Sequence, residues 1–217
     1  RCYQSVCFEC ENLFYWIQVQ ELYEGNLVQG INAGLFKTNI LLTHNVILQL
    51  LKGLVYIEDK GVLLRDLKAD NILFRRRSDG SIEIVYSDWG GADSKTSKSL
   101  HLRSSNNYKA PESFQRKPTT QKSVVFSLGV VLALFRFDDN NKMFPYQMMK
   151  EKTFVEFTLR VKEFSASIFD TPWKKTIQKM LSIRPHDRPS ASQALVEYEG
   201  ISPEDIQNYR LSLVPNQ

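Results

Sequence analysis

The sequence predicts an α+β protein, on three observations. Aromatic and β-branched residues crowd the first 24 positions, apolar residues recur at helical spacing from Leu41 to Ile57, and beyond about residue 75 the chain reads chiefly as helix. In order, Val6 to Cys10 and Phe14 to Leu22 are expected to pair as a hairpin split at Glu11-Asn12, a pattern that Gly25-Asn26 ends. Leu42, Val46, Leu50, Leu54 and Ile57 stand three or four apart, the stripe of a helix packed on a core, and Lys60-Gly61 stops it. Short strands at Val62-Leu63 and Ile72 to Phe74 flank the loop from Arg65 to Asn71. A further strand, Ile82 to Tyr86, follows a turn at Ser78-Asp79-Gly80. From Asp88 to Pro118 the chain is polar and rich in serine and threonine, longer than an ordinary connector. Val124 to Phe135 is almost wholly apolar but too short to span a membrane, which predicts a buried central helix. Helices follow at about 147 to 162, at 172 to 182 opened by Thr171-Pro172, and at 190 to 198 with Ser190 as N-cap.

Composition bounds the function only loosely. The 217 residues are 42% hydrophobic and 24% charged, which excludes disorder and suits one or two domains. A net charge of +4 is scattered rather than striped, so there is no strong nucleic-acid signal and only a faint hint of acidic partners. Cys2, Cys7 and Cys10 are odd in number and crowded, and Cys7-x-x-Cys10 is half a zinc site, so buried reduced thiols are expected. No 18-residue apolar run and no signal peptide appear, and a soluble intracellular protein, cytoplasmic or nuclear, is the default expectation. Arg1-Cys2-Tyr3 reads as a strand entered midway, as if residues precede it.

The stretch from Val62 to Gly90 carries the chemistry. Asp66 and Lys68 are two apart, Asn71 follows Asp66 by five, and Asp88 lies beyond the second hairpin, intervals that suit phosphate and magnesium chemistry. Arg65-Asp66-Leu67-Lys68-Ala69-Asp70-Asn71-Ile72-Leu73 resembles the catalytic loop of eukaryotic-type protein kinases. Asp88-Trp89-Gly90 is similar to their magnesium-binding triplet, and Ala110-Pro111-Glu112 to the end of their activation segment. The order and separations of these motifs extend the resemblance over nearly the whole chain, from hinge-side strands onward. It implies a remnant of the small lobe over 1–24, made of two strands and the hinge, and a kinase-like C-terminal lobe over 25–217. Nothing here corresponds to the glycine-rich loop, the strand lysine or its glutamate partner.

Phosphoryl transfer needs the γ-phosphate held in line with a hydroxyl and its charge neutralised. On the resemblance, Asp66 accepts the proton of the substrate hydroxyl and Lys68 offsets charge on the transferring group. Asn71 and Asp88 are hard oxygen ligands for Mg2+. The hinge is Glu21-Leu22-Tyr23, whose backbone at Glu21 and Tyr23 would bond the adenine of ATP, with Leu73 beneath the ring. Asn26 either reaches the ribose or serves a bare turn. Lys68 together with Ser105, three residues before Tyr108, implies the serine/threonine type, with Ser105 bridging the catalytic Asp and Lys. Glu112 and Arg188 match the family's buried ion pair. Ser94, Thr96, Ser97 and Ser99 either take phosphate that orders the segment against Arg65 or form a solvated serine-rich loop.

Three positions depart from the family. Leu64 stands where a histidine is usual, Trp89 for a phenylalanine, both expected in an apolar column, and Val124 for an aspartate that bonds backbone N–H groups of the catalytic loop. Leu64 and Val124 are expected to be coupled, packing replacing a polar strut. Two readings follow: a protein serine/threonine kinase acting on protein hydroxyls, and a pseudokinase serving as a binding, scaffolding or regulatory module. The four intact polar residues favour the first. Either needs a protein substrate or partner, with a partner covering the exposed lobe face.

Overall fold

The computed structural model describes residues 2–11, 13–36, 39–94, 108–115, 117–135, 153–168 and 170–212. Strands β1 (Cys2–Cys10) and β2 (Leu13–Gln20) pair antiparallel, with Val6 opposite Ile17 and Cys10 opposite Leu13. Val6, Leu13, Tyr15, Ile17 and Val19 all stay exposed on this ribbon. Cys7 and Cys10 are exposed free thiols as well, not the buried ones expected. A two-stranded ribbon has no second layer to cover its faces.

A short strand, β3 (Gly25–Asn26), leads into helix α1 (Leu27–Asn32), which the sequence pattern did not foreshadow. Six residues are too few to show a periodic stripe. A capping box forms it instead: Gln29 N donates to Asn26 Oδ1 and Asn26 N to Gln29 Oε1, each at 2.9 Å. The Asn26 side chain is thus a helix cap.

Helix α2 (Ile40–Asp59) is the expected long helix, and Gly61, at φ 72°, takes the left-handed turn that lets the chain leave it. Beyond it come β4 (Val62–Leu63), β5 (Ile72–Arg76), β6 (Ile82–Tyr86) and β7 (Asp93–Ser94). One sheet has the order β3-β5-β6, all antiparallel, and β4 pairs with β7. Then follow α3 (Gln121–Leu132), α4 (Phe154–Ser167), α5 (Lys174–Met180), α6 (Ala191–Glu199) and α7 (Pro203–Ser212). Helix α4 is described from the Thr153 capping box onward; residues 147–152 of the expected helix lie outside the described ones. Helix α7 was not legible, because Ile206 is its buried residue and one apolar position makes no stripe.

By length and composition α2 could cross a membrane. Val46, Ile47, Leu50, Leu51 and Leu54 are instead buried in the protein core, where α2 packs on α6 and β6. Two polar devices fit it there. Gln49 Nε2 donates to Ile82 O at 2.8 Å while its Oε1 accepts from Ile84 N at 3.1 Å, so the amide serves the free edge of β6 as another strand would. Tyr86 donates its hydroxyl to Leu50 O at 2.7 Å across Gly53, where a Cβ would lie 2.8 Å from the ring. Burial raises the Tyr86 hydroxyl far above its ordinary pKa, so it remains a donor.

Helix α3 lies at the centre, with Val124, Val125, Phe126, Leu128, Val130 and Val131 buried. Beside it Arg188 meets Glu112 through two hydrogen bonds of 2.7 Å. The other guanidinium donors reach the carbonyls of Ser182 at 2.7 Å, Ile183 at 3.0 Å and Lys122 at 3.0 Å. Ser123 Oγ donates to Glu112 Oε1 at 2.7 Å. Burial alone would push the Glu112 carboxyl up, but Arg188 and Ser123 hold it below the usual carboxylate range.

Glu112→Gln is expected to cost about 3 to 5 kcal/mol in urea unfolding at pH 7, because it leaves a buried guanidinium uncompensated. The folded carboxyl lies below its ordinary value of 4.5, so its stabilisation is fully present above that value. It is lost as pH falls through the folded pKa, and the gap between wild type and variant narrows in acid.

Candidate active site

The loop from Leu64 to Asn71 is set by alternation of burial. Leu63, Leu64, Leu67, Ala69 and Ile72 are buried, while Asp66, Lys68 and Asn71 are half-buried between them. Each apolar residue is an anchor, and the polar side chains are left facing a small cleft lined also by Ser87, Asp88 and Gly91. Lys68 Nζ donates to Asp66 Oδ2 at 2.9 Å. That bond holds the ammonium above its ordinary pKa and keeps it charged at neutral pH.

Asn71 ties the loop to the end of β6. Its amide nitrogen donates to Asp66 O at 3.0 Å and, more weakly, to Asp88 Oδ2 at 3.4 Å. Its own carbonyl accepts from Ser87 N at 2.8 Å and Ser87 Oγ at 2.9 Å. Asp88 has φ 56° and ψ 67°, the left-handed region, a conformation costing on the order of 1 kcal/mol or more for a residue with a side chain. The structure therefore brings Asp66, Lys68, Asn71 and Asp88 into one network. Asn71 presents its amide nitrogen to the Asp88 carboxylate, and Asn71 Oδ1 and that carboxylate are hard oxygens of the kind magnesium takes.

Leu64 and Val124 are both buried and line one small cavity with Tyr108 and Ala110 and with polar neighbours such as Ser113, Ser123 and Ser127. Trp89 departs from expectation. It is 47% exposed on the 3-10 turn Trp89–Gly91 rather than packed in an apolar column.

Arg65 shows a device the sequence reading missed. Its side chain is only 2% exposed, and Nη2 lies 2.5 Å from Asp93 Oδ2. Asp93 is placed by β7, where it stands opposite Leu63. A carboxylate of the chain's own thus meets the guanidinium expected to receive a phosphate. Ser94 is exposed beside it. Thr96, Ser97, Ser99 and Ser105 lie outside the described residues.

The expected hinge runs along β5. Glu24 N donates to Phe74 O at 3.0 Å, and Leu73 is half-buried opposite Asn26. The Glu21 carboxylate pairs with Arg75, which holds it below its ordinary pKa, and the Tyr23 ring lies 5.2 Å from the same guanidinium. Leu22, between them, is 91% exposed.

Comparison with known proteins identifies the family. The protein kinase domain family matches residues 6–198. The mouse interferon-induced, double-stranded RNA-activated protein kinase is 29% identical over 203 residues, 89% of this chain and 37% of that protein. The serine/threonine-protein kinase H1 homolog of Pinctada fucata is 28% identical over 158 residues, 69% of this chain and 37% of its own length. The tyrosine-protein kinase SPK-1 of Girardia tigrina is 31% identical over 135 residues, 59% of this chain and 26% of its own length. The chain belongs to the protein kinase family, with the mixed α and β fold of its domain, and the serine/threonine type accords with relatives such as the H1 homolog. It spans little more than a third of the length of the mouse and Pinctada relatives.

Asp93→Asn is expected to destabilise the protein by roughly 1 to 3 kcal/mol, since a charge-assisted bond to a buried guanidinium is weakened to a neutral one. Thermal unfolding of the two proteins, side by side, checks it; equal midpoints would show that Asp93 does not hold Arg65.

Proposed function

We propose that the chain is the catalytic portion of an ATP-dependent protein serine/threonine kinase, moving the γ-phosphate of ATP to a protein hydroxyl. The observation that carries this reading is the single network joining Asp66, Lys68, Asn71 and Asp88. Asp66 orients the substrate hydroxyl and accepts its proton, and Lys68, charged and 2.9 Å away, offsets the charge of the transferring group. Ser105 is assigned to bridge that pair. Asn71 and Asp88 would hold Mg2+, which would supply positive charge against the phosphates. Backbone groups of Glu21 and Tyr23 take adenine, and Leu73 lies under the ring.

In this reading 1–24 belong to the small lobe and 25–217 form the large one. A protein partner covers the exposed lobe face, and the setting is intracellular. Serine and threonine are favoured as acceptors by the family names, one relative named as a tyrosine kinase notwithstanding.

In an assay of phosphate transfer from labelled ATP by the intact protein, Asp66→Asn is expected to lower the rate by about 10² to 10⁴-fold, the usual worth of a positioned base. Hydrolysis of the labelled product should return phosphoserine or phosphothreonine. Nucleotide binding with transfer no greater than that of Asp66→Asn would reject the kinase reading in favour of a pseudokinase module.

A further inference from the structure

Arg75 belongs to none of the roles above, yet it is the residue on which the connector at Glu21 to Glu24 converges. It stands on β5 opposite Glu83 of β6. Its Nε donates to Glu83 Oε2 at 2.5 Å, its Nη1 donates to Glu21 Oε1, and its plane faces the Tyr23 ring with 5.2 Å to the centroid. One guanidinium thus meets a carboxylate on the strand pair, and a carboxylate and a ring on the connector. Arg76 extends the attachment: its backbone N donates to Glu24 Oε1 at 2.5 Å, and its Nε lies 3.3 Å from Glu24 Oε2.

Strand periodicity gives this clamp its position. Successive side chains alternate faces, so Leu73 and Arg75 share one face of β5, while Ile72 and Phe74 are buried on the other. Arg75 thus ties the connector to the face that carries Leu73, while Arg76 ties it from the other.

We propose that Arg75 is a positioning residue for the purine of a bound nucleotide, fixing the width of the slot between the Glu21-to-Tyr23 backbone and Leu73. The inference rests on the nucleotide reading of the connector given above. Magnitudes favour a role in ligand positioning over one in stability. The side chains of Arg75, Glu21 and Glu83 are 33%, 24% and 21% exposed. Partly solvated ion pairs add little to folding, whereas a planar fork that bridges two carboxylates defines geometry closely. A lysine ammonium reproduces the charge but not the fork.

The test is calorimetric titration of ATP, ADP and adenosine into the intact protein and its variants. Arg75→Gln is expected to weaken all three by the same factor, about tenfold, and to leave the magnesium dependence of ATP affinity unchanged. Its melting midpoint should stay within about 2 °C of wild type. Arg75→Lys should recover only part of the loss, and Glu21→Gln added to Arg75→Gln should weaken binding no further, since both break one contact. Unchanged affinity in Arg75→Gln overturns the inference, as does a loss confined to ATP and ADP, which would place Arg75 on the phosphates. If Arg75→Gln does not fold, Glu21→Gln, which keeps the bond to Glu83, decides on the same criterion. A wild-type protein that binds no adenine compound would instead reject the nucleotide reading itself.

Discussion

The buried pair of Arg188 and Glu112 is the interaction on which the arrangement of the large helical region depends. All five guanidinium donors are used: two on Glu112, and one each on the carbonyls of Ser182, Ile183 and Lys122. A buried charge pair holds only when its remaining donors are satisfied, and that condition is met here. Three segments become one unit in consequence, namely the turn Pro111–Gln115, the start of α3, and the loop that precedes α6. The Phe126 ring, 4.9 Å from the guanidinium carbon, closes the apolar side.

That unit is the floor under the candidate active site. Ser127, on α3, donates to Tyr108 O at 2.8 Å, and Tyr108, Ala110 and Val124 line the cavity that Leu64 and Leu67 also line. The catalytic-type loop is held in two ways at once. From within, its leucines are part of the core, a non-directional attachment proportional to buried area. From the side, Arg65 meets Asp93, and Asn71 bonds both to Asp66 O and to the end of β6. Val124 is itself buried beside that cavity, and Arg65 and Asn71 add directional bonds to the loop.

The long stripe of α2, the apolar run of α3, the second hairpin and the Ser190 cap were legible in the sequence because each is a local pattern with its own period or capping chemistry. The four polar residues that the structure joins in one network were singled out by their order and spacing and by resemblance to a family. Trp89, Cys7 and Cys10 were misjudged because residue type gives only a propensity for burial, while the surrounding fold decides exposure. The short α1 and the nearly stripe-free α7 fell below what periodicity can reveal.

What the sequence by itself determined is the inventory: which groups can carry phosphate chemistry, and which segments are helix or strand, since these follow from neighbours within a few positions. What only the tertiary structure decided is pairing across distance. Arg65 with Asp93, Arg75 with Glu21 and Glu83, and Gln49 with the edge of β6 join residues that no local pattern relates. Charged residues are abundant in a chain that is 24% charged, so many partners are possible on composition alone. Strand register and burial leave each of these side chains with the neighbours it has. For Arg75 the outcome is a connector pinned to the face that carries Leu73, a relation that exists only once β5 and the connector lie side by side.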